Sequence, residues 1–407
     1  MKSLKVLISA YACLPNEGSE PGVGWNTARE VSNYHQVWVL TRESNRPAIE
    51  NFCQNNKLDN LTFVYCEPHR LLSGLQPAHI PHYYSWQAGA YSTAKQLHHQ
   101  VGFDIAHHVT YVRYSTPSFL CALPIPFVWG PVGGAESMPR SFWHDLGIKS
   151  RAYEMLRTVV HRAGELDPFT RATARHSTIA RATTAETAQR LSSVGAPSVQ
   201  THSALGLSQK ELVQLGALTL PAPQPIRFIS IARLLHWKGL HLSLQAFAKA
   251  SFDQSAEYWI LGDGPERDAL ERLAANLGIT AKVKFFGALP RSETLQQLGN
   301  CHILVHPSLH DSGGLVCLEA MAASRPVVCL DTGGPALQVN EQTGIKVAVK
   351  KPQQVVSDLA FAMTNLAKDE NRRVELGEAA RKRVTEDFSW QKKGQQLSQL
   401  YVDLISH

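Results

Sequence analysis

Residues His306 to Pro335 read H-P-S-L-H-D-S-G-G-L-V-C-L-E-A-M-A-A-S-R-P-V-V-C-L-D-T-G-G-P, and this stretch decides how the rest of the chain is read. Two carboxylates, Asp311 and Glu319, flank a Gly313-Gly314 pair that opens an apolar helical pattern. A short buried strand, Pro326 to Leu330, follows and ends in a second Gly-Gly. The amino end of a helix exposes unpaired N–H groups and carries partial positive charge, so it attracts phosphate. Glycine at the entry lets an anion approach the backbone closely. Glu319, lying farther along the same helix, is placed to accept hydrogen bonds from sugar hydroxyls. A phosphate cradle beside a hydroxyl reader suits a nucleotide-linked sugar.

Working outward, apolar runs of strand length alternate with helical patterns. Strands are expected at Lys5–Ala10, Gln36–Thr41, Leu61–Tyr65, Ile105–His108 and Phe127–Trp129, then at Arg227–Ala232, Ala256–Leu261, Val283–Phe286, Ile303–His306 and Val327–Leu330. Helices are expected between them, among them Gly22–Asn33, Arg46–Asn55, His82–Val101 and Ser150–Arg162. The later helices are expected at Gly239–Ser251, Pro265–Leu277, Arg291–Asn300 and Leu315–Ala323, with helical pattern again from Gln353 to Glu386. Such alternation implies βαβ units and parallel sheets. The series begins afresh near Arg227, and 407 residues exceed what one core usually holds. Two doubly wound α/β domains are therefore expected: 1–205, then a linker at 206–225, then 226–388. Three prolines in Pro221–Pro225 suit neither helix nor central strand and mark that linker. Residues 389–407 are expected to form a C-terminal helix that packs on the first domain.

Composition sets limits on function. Net charge is +6, but Arg140–Arg190 holds nine Lys/Arg against five Asp/Glu. That segment is either a solvated face or a patch facing anionic lipid or a phosphorylated substrate. The seven cysteines are odd in number, scattered and without a C-x-x-C pair, as in a reduced cytoplasmic protein. No stretch has the length of a membrane span, so a soluble or peripheral protein is expected. No zinc spacing, Walker sequence or D-x-D is present, and nothing suggests a nucleic-acid partner. No metal and no cofactor are expected.

Ligands of open parallel sheets gather at the carboxyl ends of strands. After the first strand, Pro15–Trp25 carries Gly18, Gly22 and Gly24, either a phosphate-approaching loop or only a tight turn. A-R-L-L-H-W-K-G follows the Arg227–Ala232 strand and sets Arg233 and Lys238 where two cations can clamp a diphosphate. His107 and His108 close another strand. Successive residues face opposite ways, so at most one enters a given cleft, to hold a sugar hydroxyl or move a proton. The loop with Gly133, Gly134 and Glu136 can line the same cleft.

A-R-L-L-H-W-K-G, G-D-G-P-E-R, F-F-G-A-L-P and the His306–Pro335 segment occur in an order that resembles the retaining family-4 glycosyltransferases of GT-B fold. The resemblance implies two Rossmann-like domains facing a central cleft and a nucleoside-diphosphate sugar as donor. The acceptor would be a hydroxyl on a glycan, a lipid-linked sugar or a small molecule. It implies that Arg233 and Lys238 contact the diphosphate, that Gly314 and Leu315 amides cradle phosphate, and that Glu319 holds the ribose. Gly287 and Leu289 would meet the base, with Gly18, Gly22 and Gly24 near the diphosphate. Asp311 stands where the family has a glutamate near the donor sugar, and Gly313 where an aromatic is frequent. His107 fits the first of the family's two histidine positions, Val109 holds the second and His108 lies between. Asp311, His107, Arg233 and Lys238 are thus the expected catalytic set, in polysaccharide or glycolipid assembly at or near the inner face of a membrane. A non-catalytic nucleotide-sugar-binding subunit and a GT-B epimerase are the alternatives.

Overall fold

A computed structural model describes residues 3–68, 80–253 and 255–406. Seven parallel strands, β1 (Lys5–Ala10), β2 (Gln36–Arg42), β3 (Leu61–Cys66), β4 (Ile105–Thr110), β5 (Phe127–Val132), β6 (Ile179–Ala182) and β7 (Val199–Thr201), form one sheet in the order β3-β2-β1-β4-β5-β6-β7. A second parallel sheet holds β8 (Ile226–Ile231), β9 (Ala256–Leu261), β10 (Val283–Gly287), β11 (Ile303–His306), β12 (Val327–Leu330) and β13 (Gly344–Val347), in the order β10-β9-β8-β11-β12-β13. Each is a doubly wound order, with its reversal between β1 and β4 or between β8 and β11.

The chain divides into two units: 1–135, 158–205 and 390–407 form the first, and 136–157 with 206–389 form the second. The division runs through the helix Ile148–Leu166. The first unit is filled by Leu7, Trp86, Phe127 and Trp129, all but fully buried. In the second, Phe228, Tyr258, Ile303, Val328 and Met363 form the core, and Met138, Phe142 and Leu146 from the 136–157 segment join them. Each such side chain contributes roughly 1.5–3 kcal/mol by leaving water.

Three features differ from the expected outline. Residues 206–225 are not a free linker: helix Gln209–Gly216 starts on a Ser208/Glu211 capping box. The buried Arg325 guanidinium then gathers the carbonyls of Thr219 and Gly299, both at 2.6 Å. The helical run after Gln353 is two helices, Pro352–Lys368 and Glu370–Asp387. They break at Asp369, whose extended backbone and side chain cap the second by accepting from the Arg372 amide. Segment 136–157 belongs to the second unit because its apolar residues are part of that core.

Helix Trp390–Ser406 lies in the first unit against helix Ser19–Ser32. Gly394 allows that approach, since a Cβ there would stand 2.5 Å from the Glu30 Cβ. Ser398 Oγ meets His35 Nε2 at 2.7 Å.

Candidate functional site

In the second sheet the strand order reverses between β8 and β11, so the loops following these strands converge. The loop after β8 passes Arg233, a short 3-10 turn at His236–Lys238 and Gly239, then enters helix Leu240–Lys249. Gly239 has φ +66°, and a Cβ on it would meet the Pro307 carbonyl at 2.1 Å, so only glycine lets the two loops touch. The loop after β11 carries His310 to Gly314 into helix Leu315–Ala322.

Asp311 is the hub. Its Oδ2 accepts from Lys238 Nζ at 2.6 Å and lies 3.2 Å from His306 Nε2. Its Oδ1 accepts from the amides of Gly313 at 3.1 Å and Gly314 at 3.2 Å. Burial opposes its charge, but the His306 hydrogen bond and the Lys238 ammonium outweigh burial and hold Asp311 well below the usual carboxylate range. The second Gly-Gly closes on the same loop: the Gly334 amide donates to the Asp311 carbonyl at 2.7 Å. A Cβ on Gly333, at φ +66°, would meet that carbonyl at 2.3 Å. Gln338, fully buried, donates to the Gly313 carbonyl at 2.5 Å.

These contacts bear on two expected roles. Asp311 is expected near a donor sugar, and the four contacts of its carboxylate described above all lie within its own unit. Of the amides around the helix entry, Gly314 is already bonded to Asp311, which sits where an anion would on a helix amino end. Glu319 is buried, with Arg291 Nη1 2.5 Å from its Oε1, and Arg291 also reaches Glu211 at 2.7 Å. Burial raises the Glu319 pKa and Arg291 counters it. Arg233 lies exposed at the end of β8. Gly287, at φ +73°, ends β10, and its carbonyl accepts from the Gly262 amide at 2.8 Å. The Leu289 carbonyl accepts from Thr294 Oγ1 at 3.3 Å.

Segment 136–157 completes this side of the unit. Glu136, only 2% exposed, accepts from Ser312 Oγ at 2.5 Å, beside Gly313. Glu154 lies 3.0 Å from His236 Nε2 and 3.7 Å from His310 Nε2. Tyr153, Trp237 and His310 stack in series, with centroids 5.3 and 5.1 Å apart and rings within 16° of parallel. Sequence reading missed Glu154, His236, His310 and Arg291. The first lies in what reads as a solvated basic helix, and no local pattern announces its partners. His236 and Trp237, however, stand inside the quoted A-R-L-L-H-W-K-G segment.

In the first unit, helix Ser19–Ser32 begins three residues earlier than expected, with Gly18 at its N-cap. Gly22 and Gly24 therefore lie inside it. A Cβ on either would strike the carbonyl of Glu17 or Ala12 at 2.2 Å, so both glycines serve close packing. His107 and His108 face opposite ways and both are buried. His107 meets Tyr401 Oη and the Gly130 carbonyl, each at 2.5 Å. His108 meets Ser118 Oγ at 3.0 Å and Tyr83 Oη at 3.2 Å. Burial pushes both imidazoles down to about 3, so they are neutral near pH 7. Both nitrogens of each ring are occupied within the unit. Gly133 exchanges backbone hydrogen bonds with Val112 and Tyr114, and Gly134 has φ +93°. Glu136 alone of that loop's expected trio stands in the second unit. Among the described residues no group of three His, Cys, Asp or Glu has metal-holding geometry.

Two parallel-sheet α/β units of these orders form the GT-B fold of solved glycosyltransferases. Residues 219–383, most of the unit that holds the Asp311 hub, match the family model described as Glycosyl transferases group 1. An uncharacterized glycosyltransferase of Methanocaldococcus jannaschii is 34% identical over 162 residues, 39% of this chain and 40% of that one. The chain spans about two-fifths of the length of the curated relatives it matches. Sucrose-phosphate synthase from Thermosynechococcus elongatus superposes over 100% of both chains with TM-score 0.64 and 17% identity. HepE of Anabaena, solved in complex with UDP, covers 98% of this chain and 100% of its own, with TM-score 0.60 and 16% identity.

Proposed function

We propose that this chain is a metal-independent, retaining glycosyltransferase of the family-4 type, a hexosyltransferase that moves a sugar from a nucleoside diphosphate to a hydroxyl acceptor. The observation that carries this reading is the Lys238–Asp311 pair at the reversal of the second sheet, beside an exposed Arg233 and the amino end of helix Leu315–Ala322. The UDP bound to HepE, a protein of the same fold, supports a nucleotide ligand. In the proposed reaction the acceptor oxygen forms a bond to the anomeric carbon as the bond to the diphosphate breaks. The acceptor proton passes to the departing phosphate on the same face. Lys238 and Arg233 stabilise the charge gathering on that phosphate, which acts where it matters most, in the transition state. Asp311 acts as a positioning residue that aims Lys238. Glu319 reads the ribose once Arg291, half exposed, swings aside. Gly287 and Leu289 border the base.

The acceptor side is proposed to lie near a membrane surface in glycolipid or polysaccharide assembly, with the protein on the cytoplasmic side. No helix among the described residues is long and apolar enough to cross a membrane. Helix Ile148–Leu166, however, turns its apolar face outward: Ile148 is 88% exposed, Leu166 69%, Leu156 and Val159 63% and Met155 60%. Ile148, Met155, Val159 and Leu166 share one face by helical spacing. Arg151 and Arg162 flank it, the arrangement that favours anionic lipid.

A thermal-shift screen against UDP-, GDP-, ADP- and TDP-sugars tests the donor reading. One donor should raise the melting temperature in proportion to the logarithm of its concentration. Binding of a donor without hydrolysis or transfer across a broad acceptor panel would instead indicate a non-catalytic subunit. No response to any of the four would remove the reading.

A further inference from the structure

Between helices Ser19–Ser32 and Trp390–Ser406 and the strands β4 to β7, the first unit holds a small recess, with about 30 Å³ of room for water-sized spheres and partly open to solvent. Its lining includes Arg181 from β6, His202 and Ser203 after β7, Lys393 from the last helix, His107 from β4 and Glu30. Two cations thus share a small enclosure. Lys393 is 8% exposed, and its ammonium donates to the Ser203 carbonyl. The Arg181 Nε is buried without a hydrogen-bond partner.

Buried cations are costly unless an anion faces them. No carboxylate is among the charges that act on either group. Burial first and then the neighbouring Arg181 bring the Lys393 pKa down to about 7, while Arg181 feels only Tyr401 besides its burial. Glu30 borders the recess but is not their counter-ion: it accepts from Asn33 at 3.3 Å, and the charge that acts on it is Arg29. His202 is kept neutral by burial and by both cations, so it offers a hydrogen bond without adding charge. A planar guanidinium, an ammonium and a neutral imidazole around one space are the donors that a tetrahedral oxyanion takes, the guanidinium in a two-pronged grip.

We propose that the Arg181–His202–Lys393 recess binds a phosphate group, either the free ion or the head of a phosphomonoester, separately from the donor loops. The ligand would clasp β6, the loop after β7 and the C-terminal helix together, since each contributes one donor. Phosphate occupancy therefore sets how firmly that helix is held to its sheet.

Because the donor loops also attract phosphate, the test must resolve position. Hydrogen–deuterium exchange of the full chain is followed in inorganic phosphate, in a hexose phosphate and in chloride at matched ionic strength. Saturable phosphate protection at His202–Leu205 and Trp390–Leu397 is expected, absent in chloride. Arg181→Gln should weaken that protection by about tenfold or more while leaving any protection of Gly313–Glu319 unchanged. Protection by both phosphates identifies a phosphomonoester site, and by inorganic phosphate alone a free-ion site. Absence of saturable protection of these two segments in the unaltered chain overturns the proposal, as does equal protection in a folded Arg181→Gln. If that variant does not fold, the exchange pattern of the unaltered chain decides alone.

Discussion

Lys238 and Asp311 stand 73 residues apart in sequence and 2.6 Å apart in space, joining the loops that follow β8 and β11. The carboxylate positions the ammonium, and the ammonium is the group left to face a phosphate. Replacing Lys238 by Ala should lower turnover by roughly 10²-fold or more while weakening binding of the free nucleotide far less. Steady-state kinetics set beside nucleotide titration check this, and unchanged turnover would remove Lys238 from the mechanism.

Asp311→Asn keeps the size of the side chain but loses the charge that aims Lys238. Turnover should fall while the nucleotide still binds, and the pH dependence of kcat should change shape. A variant that loses only thermal stability, with kinetics per folded molecule intact, would show Asp311 to be a loop clamp alone.

His107 is bonded on both sides, to Tyr401 and to Gly130. Its replacement by Phe should destabilise the chain by about 1–3 kcal/mol, because the partners are left without hydrogen bonds in a buried place. Urea unfolding measures the loss. Turnover per folded molecule should stay near the original value, and a fall of catalytic size would place His107 at the reacting centre.

Glu154 carries a pH signature. Burial works to raise its pKa, but the hydrogen bond to His236 and the nearby His310 imidazole outweigh it and bring it down to about 2. Its unfolded value is about 4.3. The contribution is therefore fully present above about pH 4.3 and is lost as pH falls toward 2. Over that window Glu154→Gln should flatten the rise of stability with pH by up to one proton, about 1.4 kcal/mol per pH unit. Trp237, stacked between Tyr153 and His310, provides the fluorescence reporter. Identical slopes in the two proteins would exclude Glu154 as a charge anchored in the folded state.

The outward apolar face of helix Ile148–Leu166 predicts sedimentation with anionic vesicles that weakens as salt rises. Leu156→Glu with Val159→Glu should abolish it and leave transfer to a soluble acceptor unchanged. Equal sedimentation of the double variant would point to another surface.

The sequence made the interior strands visible because each is a short, near-continuous apolar run, such as V-L-I-S-A in β1 and V-V-C-L in β12. The missed strands break that rule. β6, I-A-R-A, carries Arg181 into the recess; β7, V-Q-T, is an exposed edge; and β13, G-I-K-V, is the other sheet's half-polar edge. At the site, motif spacing located the loops but not the pairings inside them. Asp311 could be recognised as a carboxylate at a strand end. That it faces Lys238, His306 and two amides depends on the juxtaposition of β8 and β11, which no local pattern encodes. Arg291 and Glu319 illustrate the same limit, since the cation comes from the start of helix Arg291–Gly299, 28 residues earlier in the chain, and reaches Glu319 only through tertiary packing.

The placement of residues 136–157 has a practical bearing on dissection of the molecule. Met138, Phe142 and Leu146 enter the second unit's interior from a stretch that precedes the rest of that unit by some fifty residues. A gene fragment encoding 206–389 alone would be translated without them, and would present a raw apolar scar where they insert. Expressed that way it should aggregate, whereas co-expression with a peptide spanning 136–157 should restore solubility.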